Sequence, residues 1–202
     1  MDQNLDTKIA EAIWIGKSLF DRGKTSGSSA NLSFRHDNYI YITGSNTCFG
    51  NLDSTSFGIV DMEGNYVSGI APSKELPLHF MLYKRSDKVQ AVIHTHSFYS
   101  ILWSCLEHEC EEDCIPAYTP YLKMKLGTVG LIPYAKPGSE ELFDSFAARM
   151  DKSNGYLLRN HGPVVADKDL MSAFYCLEEL EESARVAWEL TGKADVTRII
   201  KG

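Results

Sequence analysis

The 202-residue sequence predicts one domain of mixed α and β structure, on three observations. Apolar residues recur at helical spacing near both ends, over Leu5–Phe20 and again from Leu170 to Trp188. Between those stripes lie short runs with strand character, bounded by Gly, Pro, Asn and Asp. The length suits a single domain, residues 1–202, with a core of its own, and 44% hydrophobic against 23% charged residues is ordinary globular composition.

The elements follow in order. The first helix places Leu5, Ile9, Ala12, Ile13, Leu19 and Phe20 on a stripe, with Gly23 as its stop. Thr25–Ser33, TSGSSANLS, reads either as a flexible loop or as a cradle of backbone N–H groups and hydroxyls for an anion. Tyr39–Ile42 reads as a strand running into the corner Thr43-Gly44-Ser45. Phe57–Asp61 and Tyr66–Val67 flank a hairpin turn over Met62–Asn65. Pro72-Ser73-Lys74-Glu75 leads into a helix from Leu76 to Tyr83 with Ser73 as N-cap, where the dipole favours an anion.

Ala91–Ser97, AVIHTHS, reads as a buried strand. Alternation along it would set His94 and His96 on one side, about 7 Å apart, a spacing two imidazoles can use on one metal ion. Tyr99–Leu106 continues as an apolar helix, and the acidic Glu107–Cys114 reads as a solvated loop rather than a zinc knuckle, lacking paired C-x-x-C spacing. Leu131–Tyr134 is an edge strand because of Pro133, and Ser139 opens a helix to Met150. Tyr156–Leu158 and Val164–Ala166 are strands around Arg159–Pro163. Asp167 would cap the last helix, which ends near Gly192.

Several function classes are disfavoured. A net charge of −7 argues against general nucleic-acid binding, though a small anion needs only a local pocket. No run is long and apolar enough to span a membrane, and Met1–Phe20 lacks the basic, apolar character of a signal peptide. Five cysteines without framework spacing suggest a reducing cytoplasm.

A pair of histidines on a strand is by itself more often structural than ligating. Two additions shift the balance toward a metal-dependent enzyme. His161 stands at a strand end beside turn residues, and Glu75 stands at a helix start, so both suit a cleft. Three histidines with an open fourth position are the layout of catalytic zinc. His79, one turn after Glu75, would orient that carboxylate or else be an ordinary core histidine, the supporting role being preferred over ligation; His36 and His108 read as solvated.

The set S-S-A-N-L-S, T-G-S, P-S-K-E-x-x-x-H, H-T-H-S and N-H-G, in this order from about Ile9 to Leu190, resembles the class II aldolase/adducin family. The resemblance implies a three-layer α/β/α fold with a mainly antiparallel central sheet, in a cyclic homotetramer with sites at subunit interfaces. It matches His94, His96 and His161 to the ligands of Zn2+, with Mn2+, Co2+ or Fe2+ also compatible with such donors. It matches Glu75 to the acid/base carboxylate, and Asn31, Thr43, Gly44 and Ser73, with Ser28 and Ser29, to the phosphate-holding positions. Tyr121, or Tyr118, is the candidate reaching in from a neighbouring subunit.

One departure separates branches of the family. Sugar-phosphate aldolases and epimerases carry a second serine before the acid, where this chain has Lys74. With Tyr118–Tyr121, Met124, Gly127–Tyr134 and the Asn160–Val165 run, it resembles the branch that decarboxylates 3-oxo-tetronate 4-phosphates. That implies a small phosphorylated sugar acid as substrate, a zinc-stabilised enediolate, and dihydroxyacetone phosphate with CO2 as products. The alternatives are a fuculose- or ribulose-phosphate aldolase or epimerase, in which Lys74 is another phosphate ligand, and a non-catalytic adducin-like interaction module.

Overall fold

The computed structural model describes residues 4–151 and 153–199. The chain divides into two compact units, one of Met1–His96 with Ala166–Phe174, the other of Ser97–Val165 with Tyr175–Gly202.

The first unit opens with helix α1, Leu5–Asp21, whose Asn4 side chain accepts from the Asp6 N–H at 3.1 Å. Its buried face is Ala12, Ile15 and Leu19, turned slightly from the expected stripe, so Ile13 is half-buried and Phe20 exposed. Gly16 faces Leu52 and Phe49 of a short 3-10 turn, Phe49–Asn51; a Cβ there would meet Leu52 Cδ1 at 2.6 Å.

Strand β1, Asn31–His36, begins inside the stretch expected to be a loop or cradle. Both of its faces are buried, so the apolar/polar alternation that marks a half-exposed strand carries no exposure signal. Strands β2 (Tyr39–Thr43), β3 (Phe57–Asp61) and β4 (Tyr66–Gly69) follow as antiparallel neighbours, with an irregularity between Ile59 and Val60. Helix α2, Leu76–Arg85, then leads to β5, Ala91–His94, which pairs antiparallel with β1. The order in this unit is β4-β3-β2-β1-β5. Ser73 is not the N-cap: Glu75 occupies that position, and Ser73 Oγ accepts from the Glu75 N–H at 3.3 Å.

In the second unit, helices α3 (Phe98–Ser104) and α4 (Pro120–Leu126) precede β6, Val129–Ile132. Helix α5 (Glu140–Arg149) is capped by Ser139, which accepts from the Leu142 N–H at 3.3 Å. Strands β7 (Gly155–Leu158) and β8 (Gly162–Asp167) follow; β6 pairs parallel with β7, and β7 antiparallel with β8. Pro133 falls just past β6 rather than within it.

The acidic 107–114 segment is not simply solvated. Glu111 bridges Arg149 and Arg159 at 2.5 Å each, Asp113 pairs with Lys123, and Trp103 Nε1 donates to Cys114 O at 2.9 Å. His108 is correspondingly half-buried, its Nε2 2.9 Å from Trp103 O, and burial lowers its pKa. All five cysteines are free.

Helix α6, Leu170–Leu190, buries the expected Leu170, Ala173, Phe174, Leu177, Leu180 and Ala184. Its cap is Asp169, which accepts from the Ser172 N–H at 2.6 Å, rather than Asp167. The same helix carries Glu181, 1% exposed. Its carboxylate accepts from Ser100 N (2.9 Å), Ser100 Oγ (2.7 Å) and Tyr99 N (3.2 Å), the open N–H groups of the first turn of α3. Removing a buried acceptor strands its donors without water. Glu181→Ala is therefore expected to lower unfolding free energy by about 3 kcal/mol in urea denaturation, with Glu181→Gln costing less.

Candidate active site

The site is built where β1, α2 and β5 meet. The antiparallel register sets Asn31 directly opposite His94, the last residue of β5. Glu75, at the N-cap of α2, lays its carboxylate between them: Oε2 accepts from Asn31 Nδ2 at 2.8 Å and lies 3.4 Å from His94 Nε2. His94 is completely buried and Glu75 8% exposed.

His96 is not on the strand as expected. The strand ends at His94, and Thr95-His96-Ser97 leave it as irregular chain. The two rings still come together, closer than a continuing strand would set them, with centroids 5.2 Å apart and planes at 74°. Burial lowers the pKa of His96, against the opposing charge of Glu75, so both the ring and its setting favour neutral imidazole.

Behind Glu75 runs a line of buried polar groups. Asn31 Oδ1 is 2.6 Å from His79 Nε2, His79 Nδ1 is 2.7 Å from Ser33 Oγ, and Ser33 Oγ is 2.7 Å from Tyr83 OH. Arg35 ends the line, donating to Tyr83 O at 2.6 Å with its guanidinium 4.9 Å from the Tyr83 ring centre. Burial drives the His79 pKa down to about 3, helped by His94 and opposed by Glu75; burial also raises that of Tyr83. His79 is a fully buried histidine that bonds Asn31, which in turn bonds Glu75. Ser33, Arg35 and Tyr83 went unrecognised, although Glu75, His79 and Tyr83 stand at i, i+4, i+8.

The two small corners lie side by side. Ser73 N donates to Thr43 O (3.2 Å), Ser45 N to Ala71 O (2.9 Å) and Ser45 Oγ to Pro72 O (2.9 Å), and Gly44 bridges to Pro72. A Cβ on Gly44 would sit 2.6 Å from Ile70 Cγ2, so any larger residue here must displace the Ile70 side chain. Thr43 is fully buried, its Oγ1 accepting from Leu32 N at 3.1 Å. Lys74 is exposed at the start of α2. Ser28 is exposed beyond Gly27, and Ser29 Oγ turns back to donate to Ser26 O at 2.8 Å.

Three expected site residues belong to the second unit. His161, 6% exposed, sits in the β7–β8 turn, where Asn160 adopts φ 56° and His161 N donates to Leu158 O at 3.1 Å. Arg159 beside it is held by Glu111. Tyr121 lies on the first turn of α4, 57% exposed, and Tyr118 just before it is half-buried.

The depressed His79 has a consequence for stability. Unfolded, its ring takes a proton near pH 6.5; folded, only at about 3. The unfolded chain therefore binds more protons in that window, so the stabilisation is complete above about pH 6.5 and is lost as pH falls toward 3. Between pH 7 and 5 this one group accounts for about 2 kcal/mol. His79→Gln, which cannot titrate, is expected to reduce the pH 7-to-5 loss of stability by that amount in paired urea denaturations.

The family described as the Class II Aldolase and Adducin N-terminal domain matches residues 10–188. The chain is 38% identical over 182 residues to a 3-oxo-tetronate 4-phosphate decarboxylase of Pectobacterium atrosepticum, covering 90% of this chain and 84% of that protein. It is 34% identical over 168 residues to an L-fuculose phosphate aldolase of Methanococcus maripaludis, covering 83% and 89%. Among solved structures, YgbL from Klebsiella pneumoniae superposes with a TM-score of 0.93 at 34% identity, over 98% of this chain and 96% of that one. The α/β fold class with mainly antiparallel pairing is thus that of its structural relatives. The chain belongs to the class II aldolase and adducin N-terminal domain family.

Proposed function

We propose that this chain is a metal-dependent lyase that decarboxylates a 3-oxo-tetronate 4-phosphate to dihydroxyacetone phosphate and CO2. The observation that carries the reading is its 38% identity, over nine-tenths of its length, to a decarboxylase of that name. The meeting of Glu75, Asn31 and His94 supports it, since it holds a buried carboxylate, a usable acid/base group, beside one of the candidate metal ligands.

On this reading His94, His96 and His161 form the donor set for the metal, zinc first, with manganese, cobalt or ferrous iron accepting the same ligands. The chemistry of the set fits, because neutral imidazole is the form that binds a divalent cation, and burial lowers the pKa of His96 toward that form. Bound there, the ion supplies Lewis acidity toward the oxygens on which charge builds. The residues do the rest. The C1–C2 bond breaks as C1 leaves as CO2, its electron pair passes into the C3 carbonyl to give the enolate, and protonated Glu75 then delivers a proton to C2. Asn31 keeps that carboxylate in place. Thr43, Gly44 and Ser73, on their stitched corners, hold the phosphate with Ser28 and Ser29, and Lys74 offsets the charge of the second anionic group.

The same proposal takes residues 1–202 as one functional domain, in a cytoplasmic homotetramer whose interfaces complete the sites. Tyr121, with Tyr118 as its alternate, would act from a neighbouring copy; the exposed Tyr121 and Met124 on α4 (57% and 76%) are the kind of surface a second copy covers. Five free cysteines suit a reducing compartment, and no helix of the described residues is long and apolar enough to cross a membrane.

The aldolase relative keeps retro-aldol cleavage as the second reading. Purified protein incubated with 3-oxo-tetronate 4-phosphate is expected to release CO2 and dihydroxyacetone phosphate in equal amounts, and to lose that activity on chelation and regain it with zinc. Glu75→Gln is expected to lower kcat by about 100-fold or more. Lys74→Ser is expected to lower kcat/KM by about tenfold, the loss of one charge-assisted contact. Turnover of L-fuculose 1-phosphate with no CO2 from the oxo acid would overturn the decarboxylase reading in favour of the aldolase.

A further inference from the structure

The line of polar groups behind Glu75 has a geometric origin. Residues four apart on a helix advance about 6 Å, and residues two apart on a strand about 6.6 Å. Glu75, His79 and Tyr83 on one side, and Asn31, Ser33 and Arg35 on β1, therefore keep step and interleave one by one. Every one of the six is buried.

Interleaving leaves each atom with a defined role. Glu75 Oε2 accepts from Asn31 Nδ2, so Asn31 turns its Oδ1 to His79. His79 Nε2 then carries the hydrogen, and His79 Nδ1 is left to accept from the Ser33 hydroxyl. The Ser33 oxygen in turn accepts from Tyr83 OH. Hydrogens all point one way, from Tyr83 toward Glu75. An Asn31 amide flipped by half a turn would set its oxygen against the Glu75 carboxylate oxygen at 2.8 Å and require the other tautomer of His79.

We propose that Ser33, His79 and Tyr83 are positioning residues that lock the Asn31 amide with its nitrogen on Glu75, and so hold that carboxylate beside His94. The inference rests on Glu75 as the acid/base group. None of the three reaches the reacting atoms; they act through Asn31. Asn31 thereby serves the carboxylate, with both of its polar atoms engaged, in addition to any contact it makes with phosphate.

The test compares His79→Leu, Ser33→Ala and His79→Gln with the wild-type holoenzyme, measuring kcat, KM, bound zinc, folded fraction and the imidazole 15N spectrum. Glutamine can donate to Asn31 and accept from Ser33 in the same sense as the native ring. The expected result is a kcat about tenfold or more lower in His79→Leu, and several-fold lower in Ser33→Ala, with KM within about threefold and zinc unchanged. His79→Gln should recover to within about threefold of wild type, and the wild-type His79 ring should carry its hydrogen on Nε2. A hydrogen on Nδ1 would overturn the inference, as would a folded His79→Leu whose kcat stays within twofold. Losses that merely follow missing zinc or unfolded protein in all three variants would overturn it too. Should His79→Leu not fold, Ser33→Ala, which deletes one hydroxyl, decides the kinetic arm. Wild-type protein that releases no CO2 would sink the substrate assignment, while the ring tautomer would still decide this inference.

Discussion

The pairing of β1 with β5 is the constraint on which the first unit depends. It sets Asn31 against His94, and from that contact the place of Glu75 follows. Two requirements hold the register at once. On one face, Phe34 stacks on Tyr41 at 5.2 Å and meets Phe57 at 5.9 Å. On the other, Asn31, Ser33 and Arg35 need the partners that α2 provides. A slip of one residue would drive Phe34 among hydroxyls and strand the polar three against aromatic rings. Each buried polar atom left unmet costs about 1–3 kcal/mol, so the wrong register fails on both faces together.

That double burial also explains what the sequence made legible. Helices α1 and α6 were plain because one face of each meets water, and β2, β3 and the hairpin after it were plain from turn chemistry. Strand β1 was hidden because a strand covered on both sides has no exposed face for its alternation to mark, and its polar residues then read as loop. Helix caps were misplaced by two residues at Ser73 and at Asp167, since several hydroxyl and acidic side chains stand near each start and only the backbone decides between them. Of the candidate site, the nearness of Glu75, His79 and His94 was legible from residue type and spacing, whereas His96 comes close to His94 from irregular chain and not from the strand its spacing suggested. Ser33 and Tyr83 were not legible, because a serine and a tyrosine carry no motif; their role exists only once helix and strand are laid side by side.

The two units hold their candidate site residues by different physics. Around Glu75 the contacts are short, mostly neutral and sealed from water, where a hydrogen bond is both strong and directional. The turn that carries His161 is instead flanked by Arg159, tied to Glu111, which also binds Arg149. The Arg149 hydrogen bond is the main reason the Glu111 pKa is lowered. Those groups are partly exposed, so their attraction is screened and adds little to stability, but two guanidinium contacts, one on each oxygen of the same carboxylate, still fix direction. Orientation of a loop tip needs direction more than energy.

The proposed chemistry places its specificity outside these shared devices. Loss of CO2 from a 3-oxo acid and retro-aldol cleavage both leave an enolate, so a carboxylate poised beside histidines serves either reaction equally well. That both a decarboxylase and an aldolase are relatives of this chain is what such a shared core would produce. What differs is the departing group: one reaction must accommodate a carboxylate next to the reacting carbon, the other an aldehyde. On the proposed reading the discriminating residue must then be a cation that reaches the substrate without joining the buried chain. Lys74 stands one residue before Glu75, at the positive end of α2, with its ammonium free to move in solvent. A group so placed can meet an extra negative charge when one arrives, and it leaves the alignment of Glu75 untouched when none does.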